Sequence, residues 1–426
     1  MSNETVENFY AFKVGAMWRY FKKQHFSFWM ICGYLFFEFV KPQALFPQID
    51  FLPWAQLLLM GAMVGAFIDP TVKWVSSASN VLIVLFFITI LISILCAIYT
   101  DVAQQHFTLF FSWFVIYFLI INIVNTPQRL YLFLLIYLLA AGKIALGTSK
   151  SWAFRGFSFT SWGLMGPKGY FQNSGELAIL MLMLFPLAFY MYQYLKDKVL
   201  WWEKALLIAF WVCPILTILG ASSRGAQVAL VVQLAVMFRK SLFRIKPLIG
   251  IMVLCTSLYY LLPQEQKDRF SSAGDDKTSE QRLLYWKHGW EMMKDYPITG
   301  VGYFNFIPYY EAHFSYDMLY PRAQLPHNIF IQVGTDAGFI ALIFFIMIIG
   351  YCFTAIWRFL ALKTESLFNN IAVGLAIGVL GFLVAGQFVT VSYYPFLWVH
   401  LAFIVCLTKI NKPVSRSKYS LNAAKK

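Results

Sequence analysis

The sequence predicts an all-α fold, a polytopic membrane bundle of about twelve transmembrane helices, with one large polar loop on the side opposite the termini. Three observations point to it. The 426 residues are 60% hydrophobic and only 13% charged, too little polar surface to clothe a water-soluble globule of this length. Apolar windows of nearly twenty residues recur along the whole chain. Lysine and arginine are divided unevenly between the connections that alternate sides of such a bundle.

Taken in order, residues 1 to 25 lack the short apolar core and small-residue cleavage site of a removable signal peptide. Phe9, Phe12, Met17 and Tyr20 recur there at helical spacing beside Lys13, Arg19, Lys22 and Lys23, which predicts an amphipathic helix lying on the membrane surface. Spans are expected at about 26 to 40, 54 to 68, 79 to 99, 107 to 125, 128 to 146, 176 to 195, 203 to 220, 225 to 238, 245 to 263, 328 to 357, 368 to 389 and 394 to 409. The chain thus divides into an N-terminal transmembrane region (1–263), a large loop (264–327) and a C-terminal transmembrane region with a basic tail (328–426).

Charge sets the orientation. The side holding both termini carries 21 of the 34 basic residues against 6 of the 20 acidic ones, which makes it the cytoplasmic side. The Arg239, Lys240, Arg244 and Lys246 cluster and the tail from Lys409 to Lys426 anchor that face. The formal net charge of +14 is therefore a consequence of topology and gives no reason to invoke nucleic acid.

Two segments on the other side are too long for turns, residues 147 to 175 and 264 to 327. Within the second, SEQRLLYWKHGWEMMKDY (279 to 296) spaces Leu283, Trp286, Trp290 and Met293 by three and four residues, which predicts an amphipathic helix whose apolar face lies on the membrane or the bundle. Ser279 or Thr278 is its expected cap, Pro297 stops it, and Gly300-Val301-Gly302 makes a tight turn.

Two groups in the chain have the chemistry of a site. Arg224, beside Ser223 in GASSRGAQVAL, stands between two apolar runs, where a guanidinium must snorkel, pair or line a wet cavity. Its fork of donors matches phosphate oxygens two at a time, although an arginine that only sets topology or holds an ion pair stays open. His327 and Asn328 stand at the mouth of a long apolar helix, and a neutral imidazole there can take a proton from a hydroxyl; a capping or interfacial histidine is the plainer alternative. The six cysteines, with no C-x-x-C spacing, read as buried hydrophobes. No paired acidic motif suggests a metal: the first outward loop holds only Asp50, and Asp275 and Asp276 read as a solvated turn. Glu38 and Asp336, near expected helix ends, are the few acids in the spans, which disfavours a proton-coupled carrier.

The sequence resembles the O-antigen ligase and polymerase family of bacterial inner-membrane glycan transferases. Three blocks carry the likeness, from about Leu206 to Leu342: the Ser223-Arg224-Gly225 step, RLLYWKHGWEMMKDYPITGVGYFNF with Arg282 at its start, and HNIFIQVGTDAGFIAL with His327. GPKGYFQNSGELAILMLMLFP, with Asn173 and Glu176, is a looser match that departs from the Asn-rich pattern of many members. The resemblance implies transfer of a glycan from an undecaprenyl-diphosphate carrier to a hydroxyl of a glycan, a lipid A-core or a protein at the periplasmic face, without cofactor or metal. It assigns Arg224 and Arg282 to the diphosphate and His327 to activation of the acceptor. Ser223, Asn173, Glu176, Asn328 and Trp286 are the further residues expected to contact the substrates. A flippase or transporter of lipid-linked sugars is the alternative of another class; it needs the arginines but no base.

Overall fold

Helices supply all the regular structure in the computed structural model, which describes residues 5–10, 13–159, 163–167, 169–242, 277–362 and 366–410. A helix bonds its backbone amides within one segment, so it is the form in which a single apolar run crosses a bilayer. The chain opens with α1 (Val14–Lys22), α2 (Phe26–Val40) and α3 (Trp54–Ile68), and continues through α4 (Ala78–Leu95), α5 (Thr100–Ile123) and α6 (Pro127–Phe154). Then come α7 (Ser174–Leu195), α8 (Trp201–Gly220), α9 (Arg224–Met237), the loop helices α10 (Lys277–Asp295) and α11 (Phe306–His313), and finally α12 (Ile329–Leu360), α13 (Leu367–Ala385) and α14 (Pro395–Ile410). Seven of these, α4 to α8 with α12 and α13, are long and apolar enough to cross a membrane; α2, α3, α9 and α14 are shorter apolar helices.

The helix ends differ from the expected ones. α5 starts at Thr100, and α6 runs on to Phe154, taking up the first part of what the sequence suggested was a loop from 147. The expected span at 245 to 263, Phe12, Arg244, Lys246, Cys255, Asp275, Asp276 and the tail beyond Ile410 lie outside the described residues. Cys32, Cys352 and Cys406 are buried as expected, whereas Cys96 is exposed at the end of α4.

The bundle is built around α7, whose residues from Leu177 to Ala188 are all buried, so it is apolar on every side. α13 packs closely on it because Gly374 presents no side chain: a Cβ there would lie 2.7 Å from the Cα of Leu187. Gln233 of α9 joins the same core by donating its amide to Leu182 O (2.8 Å) and Ile377 O (2.7 Å). That fixes α9, and with it the position of Arg224 at its first residue.

The N-terminal segment is amphipathic as expected, with Phe9, Met17 and Tyr20 buried and Lys13, Arg19, Lys22 and Lys23 exposed. Its apolar face lies on the bundle: Phe9 packs on Tyr131 of α6, with ring centroids 6.2 Å apart.

The large loop is anchored at a break in α12. Ala337 (φ −146°) and Gly338 (φ 78°) are non-helical, and the segment after α10 takes over the freed backbone groups: Val301 N donates to Thr335 O (2.8 Å) and Phe339 N to Pro297 O (2.8 Å). Gly300 (φ 65°) and Gly302 (φ 120°) form the predicted tight turn at this contact, where a Cβ on Gly300 would lie 2.3 Å from Thr335 O. Asp336 sits buried immediately before the break, in the first part of α12 as the sequence suggested. Its carboxylate accepts from Phe304 N (3.1 Å).

α10 has two faces: Leu283 and Trp290 are 58% and 50% exposed, open to the membrane surface that the sequence reading allowed for them, while Tyr285, His288 and Met292 are buried. The loop has an apolar core of its own, in which Tyr285 meets Phe306 and Tyr310 of α11 and against which Trp286 packs, while the buried Met293 meets Gly334 of α12. His288 is held in this core by Asp317 (2.8 Å) and Glu291 (3.2 Å).

Candidate active site

The start of α9, the first turns of α7 and α10, the approach to α12 and the connection between α13 and α14 surround one cavity of about 810 Å³. Arg224, Arg282 and His327 all line it, and so do Ser223, Asn173 and Glu176. Asn328 and Trp286 do not. Asn328 caps α12: its Oδ1 accepts from Phe330 N (2.9 Å) and Ile331 N (3.2 Å), and its amide donates to Gln387 Oε1 (3.1 Å). Trp286 donates its indole N–H to Pro326 O (2.9 Å), which fixes the residue immediately before His327.

Each side chain is placed by local structure. Ser222, in the left-handed region (φ 56°), turns the chain between α8 and α9, and its buried hydroxyl has no hydrogen-bond partner among the described residues. His327 is also left-handed (φ 51°), a conformation that a non-glycine residue holds only when its surroundings enforce it. Here its N–H donates to Thr390 Oγ1 (2.8 Å) on one side, and the Asn328 cap fixes the helix on the other. Its Nε2 lies 3.1 Å from Gln324 Oε1; with that oxygen accepting, the ring proton is on Nε2 and the lone pair is on Nδ1. At the rim, Asn173 caps α7 by accepting from Gly175 N (2.8 Å), and the Tyr394 hydroxyl donates to the Glu176 carboxylate.

Two guanidinium groups and one carboxylate line the cavity, which favours an anionic ligand. His327 is neutral across the ordinary pH range: burial, then the charge of Arg282, push its pKa down to about 4. Among the described residues no group of three or more His, Cys, Asp or Glu side chains is arranged to hold a metal ion.

Residues 205–346, from α8 through the loop and into α12, match the family model described as O-antigen ligase. Over that region the chain is similar to O-antigen ligases. The matched region holds all three of Arg224, Arg282 and His327. A comparison with curated proteins finds no match. Asn173, Glu176, Thr390 and Tyr394 line the cavity from outside the matched domain. The sequence reading did not single out Ser222, Gln324, Thr390 or Tyr394. A polar and aromatic run, Thr390 to Tyr394, between two apolar helices was the available signal.

Proposed function

We propose that the protein is a glycosyltransferase that moves a glycan from an undecaprenyl-diphosphate carrier to a hydroxyl acceptor at the periplasmic face of the bacterial inner membrane, with both termini cytoplasmic. The observation that carries the reading is the convergence of Arg224, Arg282 and His327 on one cavity.

The chemistry follows from those groups. The two arginines hold the diphosphate and stabilise the charge that grows on it as it departs. His327 Nδ1 accepts the proton of the acceptor hydroxyl. As that oxygen bonds to the anomeric carbon, the bond from the carbon to the diphosphate oxygen breaks and the electron pair leaves on the diphosphate. Attack opposite the leaving group inverts the anomeric centre. Burial and the Arg282 charge make His327 a weak base, but a bound diphosphate offsets the Arg282 charge and raises its pKa, so the base gains strength when the donor is in place. Ligation to a glycan or lipid A-core, repeat-unit polymerisation and transfer to protein hydroxyls all share this step. A flippase would use the arginines alone, and the neutral imidazole in the same cavity favours transfer.

The test is purified protein in lipid vesicles with an undecaprenyl-diphosphate oligosaccharide and candidate acceptors. The reading expects released carrier and a glycosylated product of inverted configuration, at rates EDTA leaves unchanged. Movement of the intact donor across the bilayer without product would replace it with transport.

A further inference from the structure

His327 is carried by a segment with no regular structure of its own. Residues 318–326 form neither helix nor strand, and Pro321 and Pro326 offer no backbone N–H. Such a backbone needs partners from elsewhere, and side chains supply them. Leu319 N donates to Gln281 Oε1 (2.5 Å), Ala323 N to Glu311 Oε1 (3.0 Å) and Gln324 N to the Tyr285 hydroxyl (2.9 Å), while Pro326 O accepts from the Trp286 indole (2.9 Å). Gln281, Tyr285 and Trp286 belong to α10, where together with Arg282 they occupy one face at positions i, i+1, i+4 and i+5. The helix that brings Arg282 to the cavity therefore also holds the segment that brings His327 to it.

Tyr285 does more than pack. Its buried ring stands edge-on to Phe306 and Tyr310, with centroids 5.7 Å and 4.8 Å away, so its hydroxyl has a fixed place at the end of a rigid ring. That hydroxyl accepts the N–H of Gln324, and the Gln324 side chain reaches His327, with Oε1 3.1 Å from Nε2. An amide oxygen only accepts, so it selects the ring form protonated on Nε2 and leaves Nδ1 as the basic atom. It does so without a charge. Arg224, Arg282 and Glu176 line the cavity with His327, and a carboxylate at position 324 would add a further negative charge there and favour the imidazolium.

We infer that Tyr285 and Gln324 are positioning residues for His327: the tyrosine fixes the glutamine, and the glutamine's amide oxygen fixes the tautomer and direction of the imidazole. The inference rests on the glycosyl-transfer reading above, in which Nδ1 takes the proton of the acceptor hydroxyl. Both residues act through the imidazole. When the proton arrives on Nδ1 the ring becomes a cation with a proton on each nitrogen, and the Nε2–H bond to Gln324 persists, so the frame is in place before the step and unchanged by it.

The test pairs transfer kinetics with NMR on the full-length protein in detergent, its histidine nitrogens isotopically labelled and the His327 signals identified by their loss in His327→Ala. Wild-type His327 should show a protonated Nε2 and a bare Nδ1. Tyr285→Phe keeps the packed ring and removes the hydroxyl, and Gln324→Met keeps the length and removes the acceptor. Each should mix the two tautomers and lower kcat about tenfold with the donor KM unchanged. In a His327→Ala protein neither should lower the residual rate further. Gln324→Glu should restore the tautomer and move the kcat/KM inflection up from about 4, because the carboxylate favours the protonated ring and the base is then lost at a higher pH. Wild-type His327 protonated on Nδ1 would overturn the inference. Tyr285→Phe and Gln324→Met proteins that keep both tautomer and kcat would overturn it while leaving the transferase reading in place. A Tyr285→Phe protein that loses rate equally with and without His327 would make Tyr285 a loop-core residue alone and overturn it too. Tautomer mixing by both variants in a protein that transfers nothing from the lipid-linked donor would support the positioning role while contradicting the transferase reading.

Discussion

Arginines stand near both ends of α6, one packed within protein and the others beside a cavity. Near the start, Arg129 is 3% exposed and its guanidinium is fully engaged: Nε donates to Gln24 Oε1 (2.8 Å), Nη1 to Ile123 O (2.8 Å) and Nη2 to Thr71 Oγ1 (2.9 Å), with Asp69 at 3.9 Å. Asp69 accepts from Ser27 Oγ (2.7 Å), Thr71 N (2.8 Å) and Thr71 Oγ1 (2.7 Å). Burial works against its charge, but these donors outweigh it and hold its pKa below the ordinary value. Near the far end, Trp152 packs beside Gly220, just before Ser222 and Arg224, and there the arginines line an 810 Å³ cavity. A buried charge surrounded by protein partners ties the N-terminal helices to the bundle. Arg224 and Arg282 line a cavity, and the proposed function places the donor diphosphate between them. Depth in the membrane alone does not separate the two cases, whereas the room left beside the charge does.

The contrast breaks first, and by the largest amount, at His327. His327→Ala should lower transfer by about 10²–10⁴-fold with donor affinity intact, measured as initial rates over a range of donor concentrations. The pH dependence carries the sign. Protonation removes the base, so kcat/KM should be flat from above about pH 5 and fall as pH drops through about 4. The kcat profile should fall at a higher pH, because the donor diphosphate favours the imidazolium. A His327→Ala variant that keeps the same inflection would assign it to another group.

The next effect belongs to the closed cluster. Arg129→Ala should cost about 3 kcal/mol of stability, read as a lower thermal midpoint in detergent, because the buried Asp69 carboxylate loses its countercharge. Gly374→Val should cost about 1–3 kcal/mol by forcing α13 away from the Leu187 backbone, seen in the same assay. Asn328→Ala should cost about 1 kcal/mol as a lost cap; a loss of donor or acceptor affinity without a change in stability would instead return Asn328 to the substrates.

The parts legible in the sequence are those fixed by local pattern. Apolar runs located the helices, and Arg224 and His327 stood out because each is a charged or titratable residue beside an apolar helix or at its mouth, whereas Arg282 was marked by the family resemblance alone. What was not legible depends on contacts between distant segments. The break at Ala337 and Gly338 follows from docking of residues 297–301, and the α10 spacing of Leu283, Trp286 and Trp290 gave no sign that α11 would draw Tyr285 and His288 inward. Arg129 looked like a charge at a helix start, since its partners come from Gln24, Asp69 and Thr71, far away in sequence.

The most direct measurement sets the two arginines side by side: transfer rate and thermal midpoint for Arg224→Ala and Arg129→Ala, each with the lipid-linked donor in the same vesicles. Arg224→Ala should lose about 10²–10³-fold in rate while unfolding within a degree or two of the wild type, and Arg129→Ala should lose stability while the folded fraction transfers at a near wild-type rate. Full transfer by a well-folded Arg224→Ala protein would contradict the account.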